Sequence, residues 1–254
     1  PDRKGLQAVV WSPMHEIGFC LSFAEGIENA AVDWRFDWKH RFFHPTAAFG
    51  DMNRDGILDL IVVTYSHAFV FDGRTGDRLM ELEWNAGRNY GSLAVRDLNA
   101  DGYPEIVVLA GQLREHIAVI QNVSGRSLKL LWDKFYEQNY PEDFVTLRTL
   151  TAGIGDFDGN GTTEIAYSVW DERVDRHWRT IVVDAMTGTP QTELIDAYLA
   201  GVADIEGRGT TALLVAKPDD RANLNLNRLT AWTSNDTRWQ EHSTLPTGTI
   251  LYAE

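Results

Sequence analysis

Three short stretches of this sequence place oxygen-bearing side chains at alternate positions, followed by a glycine and a further acid. In the first stretch, GDMNRDGILDLIVV (residues 50–63), these groups stand at positions 1, 3, 5, 6 and 9: Asp51, Asn53, Asp55, Gly56 and Asp59. Alternating oxygen ligands with a glycine at the sharp turn form the shell that a hard cation such as Ca²⁺ requires. Position 7, Ile57, can contribute its backbone carbonyl, so its side chain is free to be apolar.

The same pattern returns twice along the chain, which predicts about three structural Ca²⁺ ions. The candidate metal ligands of the second copy are Asp97, Asn99, Asp101, Tyr103 and Glu105. Those of the third copy are Asp156, Asp158, Asn160, Thr162 and Glu164. Val62 stands where an EF-hand needs its bidentate glutamate, so the stretch is not an EF-hand. A fourth copy, ADIEGRGTTALLV, keeps Gly209 but has Ala212 at position 9, which predicts the turn without the metal.

The elements that position these loops are short strands. A β-branched apolar run follows each loop, as LIVV does in the first copy, and such a run is typical of a buried strand. Position 1 of the pattern recurs after 46, 59 and 48 residues. A unit of that size holds four short antiparallel strands, and its repetition predicts an all-β fold built from four-stranded blades, a β-propeller.

The loops and the apolar runs after them resemble the FG-GAP (VCBS-type) calcium-loop repeats of integrin α-subunit propellers and of many secreted bacterial proteins. The resemblance covers residues 46–216. It implies that calcium lies in the loops joining strands 1 and 2, on one face of the propeller. It also implies that ligands bind the opposite face.

The two ends of the chain resemble parts of one further blade. Residues 5–12 align with the strand after a calcium loop, and residues 248–254 (GTILYAE) resemble the strand before one. We therefore predict one domain, residues 1–254, with blades beginning near residues 46, 92, 151 and 199 and a split fifth blade of residues 247–254 plus 1–36. The alternative is that the chain, which begins at Pro1, is part of a longer array of blades.

Composition limits the classes of function. The net charge is −14, but nine carboxylates lie in the three complete loops, so three Ca²⁺ ions would bring it to about −8. No run of lysine and arginine supports nucleic-acid binding. No apolar run approaches the roughly 18 residues of a membrane span, which predicts no membrane insertion. Weak calcium loops fill at millimolar calcium, so we predict a secreted or cell-surface protein.

The connections opposite the calcium loops contain most of the histidines, together with arginines and aromatic residues. Aromatic rings can stack on sugars and arginine can bind carboxylates, so these segments predict a glycan-binding or protein-binding face. The two longest insertions, residues 133–150 and 170–179, supply the predicted ligand-binding residues: Tyr136, Tyr140, Trp170, Arg173, His177 and Trp178. The competing interpretation is that loops simply carry polar residues.

An enzyme is the alternative to a binding or scaffold module. A polysaccharide lyase acting on a uronate-containing glycan would need an arginine for the carboxylate and a histidine or tyrosine for proton transfer. The candidate catalytic residues are His44, His67, Tyr90, Arg114 and His116. No sequence spacing connects them, and the chain has no G-x-S-x-G, P-loop or H-E-x-x-H motif. The sequence therefore favours a module that binds a glycan or a partner protein.

Overall fold

Every regular element in the described part of this computed structural model is a β-strand. The structure describes residues 6–12, 17–23, 30–37, 46–64, 66–84, 92–110, 114–137, 145–148, 153–205, 207, 209–218, 229–235 and 238–245. The strands form five antiparallel sheets, and each sheet is built from strands that are consecutive in the chain.

The bounds of the strands follow the sequence repeat. Sheet 1 contains β1 (Leu6–Ser12), β2 (Ile17–Phe23) and β3 (Ala31–Asp37). Sheet 2 contains β4 (Thr46–Gly50), β5 (Asp59–Val63), β6 (His67–Phe71) and β7 (Arg78–Glu83). Sheet 3 contains β8 (Leu93–Arg96), β9 (Glu105–Ala110), β10 (Arg114–Val123) and β11 (Ser127–Glu137). Sheet 4 contains β12 (Val145–Arg148), β13 (Ile154–Gly155), β14 (Glu164–Asp171), β15 (Trp178–Asp184) and β16 (Pro190–Ile195). Sheet 5 contains β17 (Tyr198–Ala203), β18 (Ala212–Ala216), β19 (Leu229–Asn235) and β20 (Arg238–Leu245).

The apolar core lies between the sheets. Four clusters of buried side chains fill the spaces between sheets 1 and 2, 2 and 3, 3 and 4, and 4 and 5. The strands after the predicted calcium loops are buried along their whole length, and in β5 and β14 this is because both faces pack on a neighbouring sheet. β18 is also buried along its whole length. This explains why their sequences are continuous apolar runs without the alternation of a half-exposed strand.

Four-stranded antiparallel sheets that stack face to face in chain order are the blades of a β-propeller. The all-β prediction is confirmed, and sheets 2, 3 and 5 begin at Thr46, Leu93 and Tyr198, close to the predicted positions. Sheet 1 shows three strands among the described residues, and the strand predicted to complete it, within residues 247–254, lies outside them.

Sheet 4 differs from the prediction in its first strand. The sequence places the start of this blade near residue 151, but the strand pairing begins at Val145. Both β12 and β13 pair with β14, at its two ends. Part of the predicted insertion 133–150 is therefore strand: residues 133–137 belong to β11 and residues 145–148 form β12.

The described part of the chain contains no helix with the length and hydropathy needed to cross a membrane.

Candidate metal centres

The predicted calcium loops of sheets 2 and 3 connect the first and second strands, and that of sheet 4 connects β13 to β14, so each lies at the start of the strand that runs through the middle of its sheet. We call residues 51–59 loop 1, residues 97–105 loop 2, residues 156–164 loop 3, and the incomplete copy at residues 204–212 loop 4. All four loops have left-handed backbone at positions 4 and 6. The glycine at position 6 has φ between 83° and 85° in every copy, and position 4 has φ between 59° and 76°. The sequence repeat is therefore also a repeat of one backbone path.

Backbone amides hold the side-chain oxygens of these loops in place. The position 6 amide donates to the position 1 carboxylate at 2.9 Å in loop 1, 2.8 Å in loop 2, 3.0 Å in loop 3 and 2.7 Å in loop 4. In loops 1 to 3 the position 5 amide donates to the position 3 side chain at 3.0, 2.9 and 3.0 Å. The position 7 amide donates to the position 5 side chain at 2.9, 2.8 and 2.6 Å. These turns explain why short Asp and Asn side chains occupy positions 1, 3 and 5.

The acid at position 9 is buried in each complete loop. Asp59, Glu105 and Glu164 are 0% exposed, and each accepts a hydrogen bond from the position 2 amide, at 3.0, 2.9 and 2.8 Å respectively. Burial, with a smaller contribution from neighbouring carboxylates, raises the pKa of Asp59 to about 6 and that of Glu105 to about 7. Burial also raises the pKa of Glu164. A buried carboxylate surrounded by other carboxylates is destabilised in its ionised form unless a cation lies beside it.

The donor set fits a hard divalent cation. Oδ1 of Asp97 is buried and has no hydrogen-bond partner among the described residues, which is costly for a carboxylate oxygen. In loop 3, ligand atoms of Asp156, Asp158 and Glu164 lie within 4.8 Å of one another. The loops offer only oxygen atoms, without the histidine or cysteine ligands that zinc and copper prefer. This arrangement can hold Ca²⁺, with the position 7 carbonyls of Ile57, Tyr103 and Thr162 as further donors.

Loop 4 keeps the backbone without the buried acid. Its Gly209 amide still donates to Asp204, but Ala212, which is 0% exposed, replaces the acid at position 9. The hydrogen bond between the Thr211 amide and the Asp156 carbonyl, at 2.8 Å, joins loop 4 to loop 3. Loop 4 therefore serves as a packing surface for its neighbour.

The candidate catalytic residues are not brought together in the described part of the structure. His67 is 9% exposed, stacks on Phe69 in the core between sheets 1 and 2, and places its Nδ1 2.7 Å from Ser66 Oγ. His116 is 0% exposed and lies between the rings of Trp84 and Phe135, so it faces the space between sheets 2 and 3. Sheet 2 thus separates the two histidines. His44 and Tyr90 lie outside the described residues, as does the side chain of Arg114.

The aromatic members of the predicted ligand-binding set lie on two faces of sheet 4. Trp170 and Trp178 are paired across β14 and β15, are 7% and 2% exposed, and pack with Tyr198 of sheet 5. Tyr136 lies on the opposite side, where its hydroxyl is 2.8 Å from that of Tyr167. Burial raises the pKa of Tyr136, and it raises the pKa of Tyr167 to about 12. These rings are packing elements in this structure, and Tyr140 lies outside the described residues.

Arg173 and His177 of that set contact carboxylates around the β14–β15 turn. Arg173 binds both carboxylate oxygens of Asp171, at 2.9 and 2.6 Å. This contact lowers the pKa of Asp171. His177 Nδ1 contacts Asp196, which follows β16 in the chain.

A groove of about 540 Å³ opens beside Asp196, between sheets 4 and 5. Half of its lining residues are aliphatic, and the others are two acids, a lysine, a hydroxyl and an indole: Glu193, Asp196, Lys217, Thr230 and Trp232. Asp196 follows the last strand of sheet 4 and Lys217 follows β18, so the groove lies at the ends of the strands opposite the calcium loops. The sequence predicted a ligand face there but did not identify these lining residues.

The loops also resemble known repeats. A family model for FG-GAP-like repeats matches residues 46–108, which span sheet 2, loop 1, loop 2 and most of β9. Residues 46–108 form an FG-GAP-like repeat. This confirms the resemblance inferred from the loop pattern for that part of the chain. Among curated proteins no significant match is found.

Several solved structures are similar to this chain at low sequence identity. Sqt1 from Saccharomyces cerevisiae aligns with a TM-score of 0.57 and 11% identity over 91% of this chain and 56% of its own. An Agrocybe aegerita lectin that recognises non-reducing terminal N-acetylglucosamine aligns with a TM-score of 0.53 and 14% identity over 97% and 67%. BamB from Moraxella catarrhalis gives a TM-score of 0.46 and 12% identity over 94% and 60%. This chain therefore spans 56% of Sqt1 and 60% of BamB.

Proposed function

We propose that this chain is a calcium-stabilised β-propeller that acts outside the cell as a binding or scaffold module. The observation that carries the calcium assignment is the buried acid at position 9 of three loops, which lies among other carboxylates. Each ion would offset the repulsion between these carboxylates and fix the connection between two strands of one blade. Such loops fill at the millimolar calcium of extracellular fluids, which supports secretion or display at the cell surface.

Thermal unfolding tests the calcium assignment. We expect the melting temperature to fall when EGTA removes calcium and to return when calcium is added back in excess. A ligand at about 100 times its dissociation constant stabilises the folded state by about 2.7 kcal/mol per site, so the shift amounts to several degrees. Asp156→Ala should remove the contribution of loop 3, whereas Asp204→Ala in loop 4 should leave the calcium-dependent shift unchanged. An unchanged melt with EGTA would contradict the assignment.

We place the ligand on the face opposite the calcium loops, in the groove between sheets 4 and 5, and infer that the ligand is a glycan. The groove offers an indole ring for stacking on a sugar and several hydrogen-bonding side chains around it. The recognition of N-acetylglucosamine by a lectin of similar fold is compatible with this assignment. A partner protein is the other occupant that the sequence allows.

A glycan array tests this assignment separately from the calcium experiment. We expect retention of one class of glycan without turnover, and loss of that retention in Lys217→Ala and Thr230→Ala. Lys129→Ala, an exposed lysine on β11, is the matched control and should bind as the unchanged protein does. Absence of binding to any glycan by a protein that still melts in a calcium-dependent way would exclude the glycan and favour a protein partner.

A further inference from the structure

Arg54 connects two calcium loops that belong to different sheets. It stands at position 4 of loop 1, between two of the candidate ligands, with a left-handed backbone of φ 62°. Its guanidinium lies over the ring of Tyr103 in loop 2, with Cζ 5.2 Å from the ring centroid. A planar cation on an aromatic face is attracted by the ring's quadrupole, so the contact is stabilising.

The guanidinium also occupies the space beside Gly102. A Cβ added to Gly102 would lie 2.8 Å from Arg54 Cζ, so only glycine allows this approach without displacing the arginine. Gly102 and Tyr103 are the residues whose amides hold Asp97 and Asp101, and Tyr103 is at position 7, whose carbonyl is a candidate ligand. Arg54 therefore rests on the part of loop 2 that arranges its oxygen atoms.

Sheet 3 contacts loop 1 in return. Asn122, which is 0% exposed, donates from Nδ2 to the Met52 carbonyl at 2.8 Å. Gly125, in the turn after β10, lies against both loops: a Cβ there would be 2.9 Å from the Tyr103 ring and 3.2 Å from the Asn53 Cα. Loops 1 and 2 are thus both in contact with the turn at Gly125, in addition to their direct contact through Arg54.

The other two adjacent pairs, loops 2 and 3 and loops 3 and 4, have no arginine at position 4. Position 4 is Ala100 in loop 2, Gly159 in loop 3 and Gly207 in loop 4. Loop 1 is therefore the copy with a positively charged side chain, Arg54, at this position. Loops 3 and 4 are joined by the backbone bond between Thr211 and Asp156 instead. Loops 2 and 3 are also neighbours with complete ligand sets, but position 4 of loop 2 is Ala100, so the arginine contact is a feature of loops 1 and 2.

We propose that Arg54 is a positioning residue that couples calcium binding at loop 1 to calcium binding at loop 2. This inference rests on calcium binding as proposed above. An ion in loop 1 fixes the backbone on both sides of Arg54, and the fixed guanidinium then orders Gly102 and Tyr103, so the second ion meets a loop that is already arranged. The coupling is positive, and each ion raises the affinity for the other.

The charge of Arg54 and the proposed coupling predict opposite effects of Arg54→Ala on calcium affinity. A positive charge between two cation sites weakens both of them, so by charge alone Arg54→Ala would tighten calcium binding. Under coupling, Arg54→Ala weakens binding at loop 2. Arg54→Lys keeps the charge but loses the planar contact with Tyr103, and it should behave like Arg54→Ala.

Calcium titration followed by amide NMR can report on each loop separately, through Gly56, Gly102 and Gly161. Asp55→Ala removes a ligand from loop 1, and we expect it to weaken calcium binding at Gly102 by at least about 5-fold, the lower limit of typical allosteric coupling. The affinity at Gly161 should change by less than that. In the Arg54→Ala background, Asp55→Ala should have no further effect at Gly102.

Arg74→Ala is the matched control. Arg74 Nη2 lies 3.7 Å from Asp55 Oδ2, but Arg74 belongs to the β6–β7 turn of the same sheet as loop 1, so its contact does not reach across to loop 2. It should leave the effect of Asp55→Ala on Gly102 intact. Equal affinity at Gly102 with and without Asp55 would overturn the coupling and leave calcium binding standing. If none of the three glycine signals moved with calcium in the unchanged protein, calcium binding itself would be contradicted, and the coupling with it.

Discussion

The indole Nε1 of Trp132 donates a hydrogen bond of 2.9 Å to the carbonyl oxygen of Ala185, joining the outer strand of sheet 3 to the β15–β16 turn of sheet 4. Trp34 makes the equivalent bond from sheet 1 to Gly73 in the β6–β7 turn of sheet 2, at 3.0 Å. In both turns a glycine packs against the indole: Gly188 against Trp132 and Gly76 against Trp34. An indole hydrogen bond and a glycine contact therefore join sheets 1 and 2 in the same way as sheets 3 and 4.

Replacing Trp132 by phenylalanine tests the contribution of this bond. Trp132→Phe removes the donor, and the loss of one hydrogen bond typically costs about 1 kcal/mol. For a chain of this size that lowers the melting temperature by about 2–4 °C. Trp84→Phe is the control: Trp84 is buried whereas Trp132 is half-buried, and Trp84 Nε1 has no hydrogen-bond partner within the described residues. Equal shifts in both variants would mean that ring volume, and not the hydrogen bond, determines the effect.

The buried acids at position 9 predict an unusual pH dependence of the metal-free protein. The pKa of Glu105 in the folded state is about 7, above its usual 4.5, so folding favours the protonated acid. Its stabilising contribution is therefore present at low pH and is lost as the pH rises through about 7. Asp59, with a pKa of about 6, acts in the same direction.

We expect the metal-free protein to melt at a lower temperature at pH 8 than at pH 5, and calcium to remove this difference because it binds the ionised acids. Calcium binding at pH 6 should release protons, which calorimetry in buffers of different ionisation enthalpy can measure. Glu105→Gln should flatten the pH profile of the metal-free protein and reduce the calcium effect. A metal-free protein that gains stability between pH 5 and pH 8 would contradict the assignment of these buried acids.

The sequence predicted those features that a short stretch of chain determines. Alternating oxygens with glycine at position 6 predicted the loops, and the buried run after Asp59 predicted β5, because both patterns lie within a dozen residues. Contacts between sheets were not predictable in this way: Trp132 and Ala185 are 53 residues apart, and Arg54 and Tyr103 belong to loops of different sheets.

The ligand face was the least predictable part. Trp170 and Trp178 looked like exposed platforms because they flank an insertion of charged residues, but β14 and β15 extend to include them and turn both rings toward sheet 5. Whether a residue near a strand end faces solvent depends on how far the pairing continues. That length is set by the partner strand, not by the local sequence.

Asn122 shows the importance of the contacts between sheets. Asn122→Asp keeps the acceptor for the Gly125 amide, which donates at 2.9 Å, but loses the donor to the Met52 carbonyl. A buried carboxylate facing a carbonyl oxygen is unfavourable, and we expect a loss of about 1–3 kcal/mol in the free energy of unfolding, measured by urea titration. Asn99→Asp in the calcium-saturated protein is the control: it loses the donor to Asp101, but position 3 of loop 3 is already an aspartate, Asp158, so it should be tolerated with the ion bound. Tolerance of Asn122→Asp would contradict a role for its amide group.

Alanine substitutions at the three position 6 glycines can distinguish the cost of backbone strain from the cost of losing the Arg54 contact. Gly56, Gly102 and Gly161 all have φ near +84°, where a side chain costs roughly 1–2 kcal/mol whatever the space around it. A Cβ at Gly56 or Gly161 meets no atom within 4 Å, so alanine there should cost the strain alone.

At Gly102 the same substitution must also displace Arg54 from Tyr103. We therefore expect Gly102→Ala to be more destabilising than Gly56→Ala and Gly161→Ala when the three are compared by calcium-saturated thermal melts. The excess should vanish when Arg54 is also alanine, because the added Cβ then has nothing to displace. If Gly102→Ala matched the other two substitutions with Arg54 present, the guanidinium would not be held on loop 2 in solution.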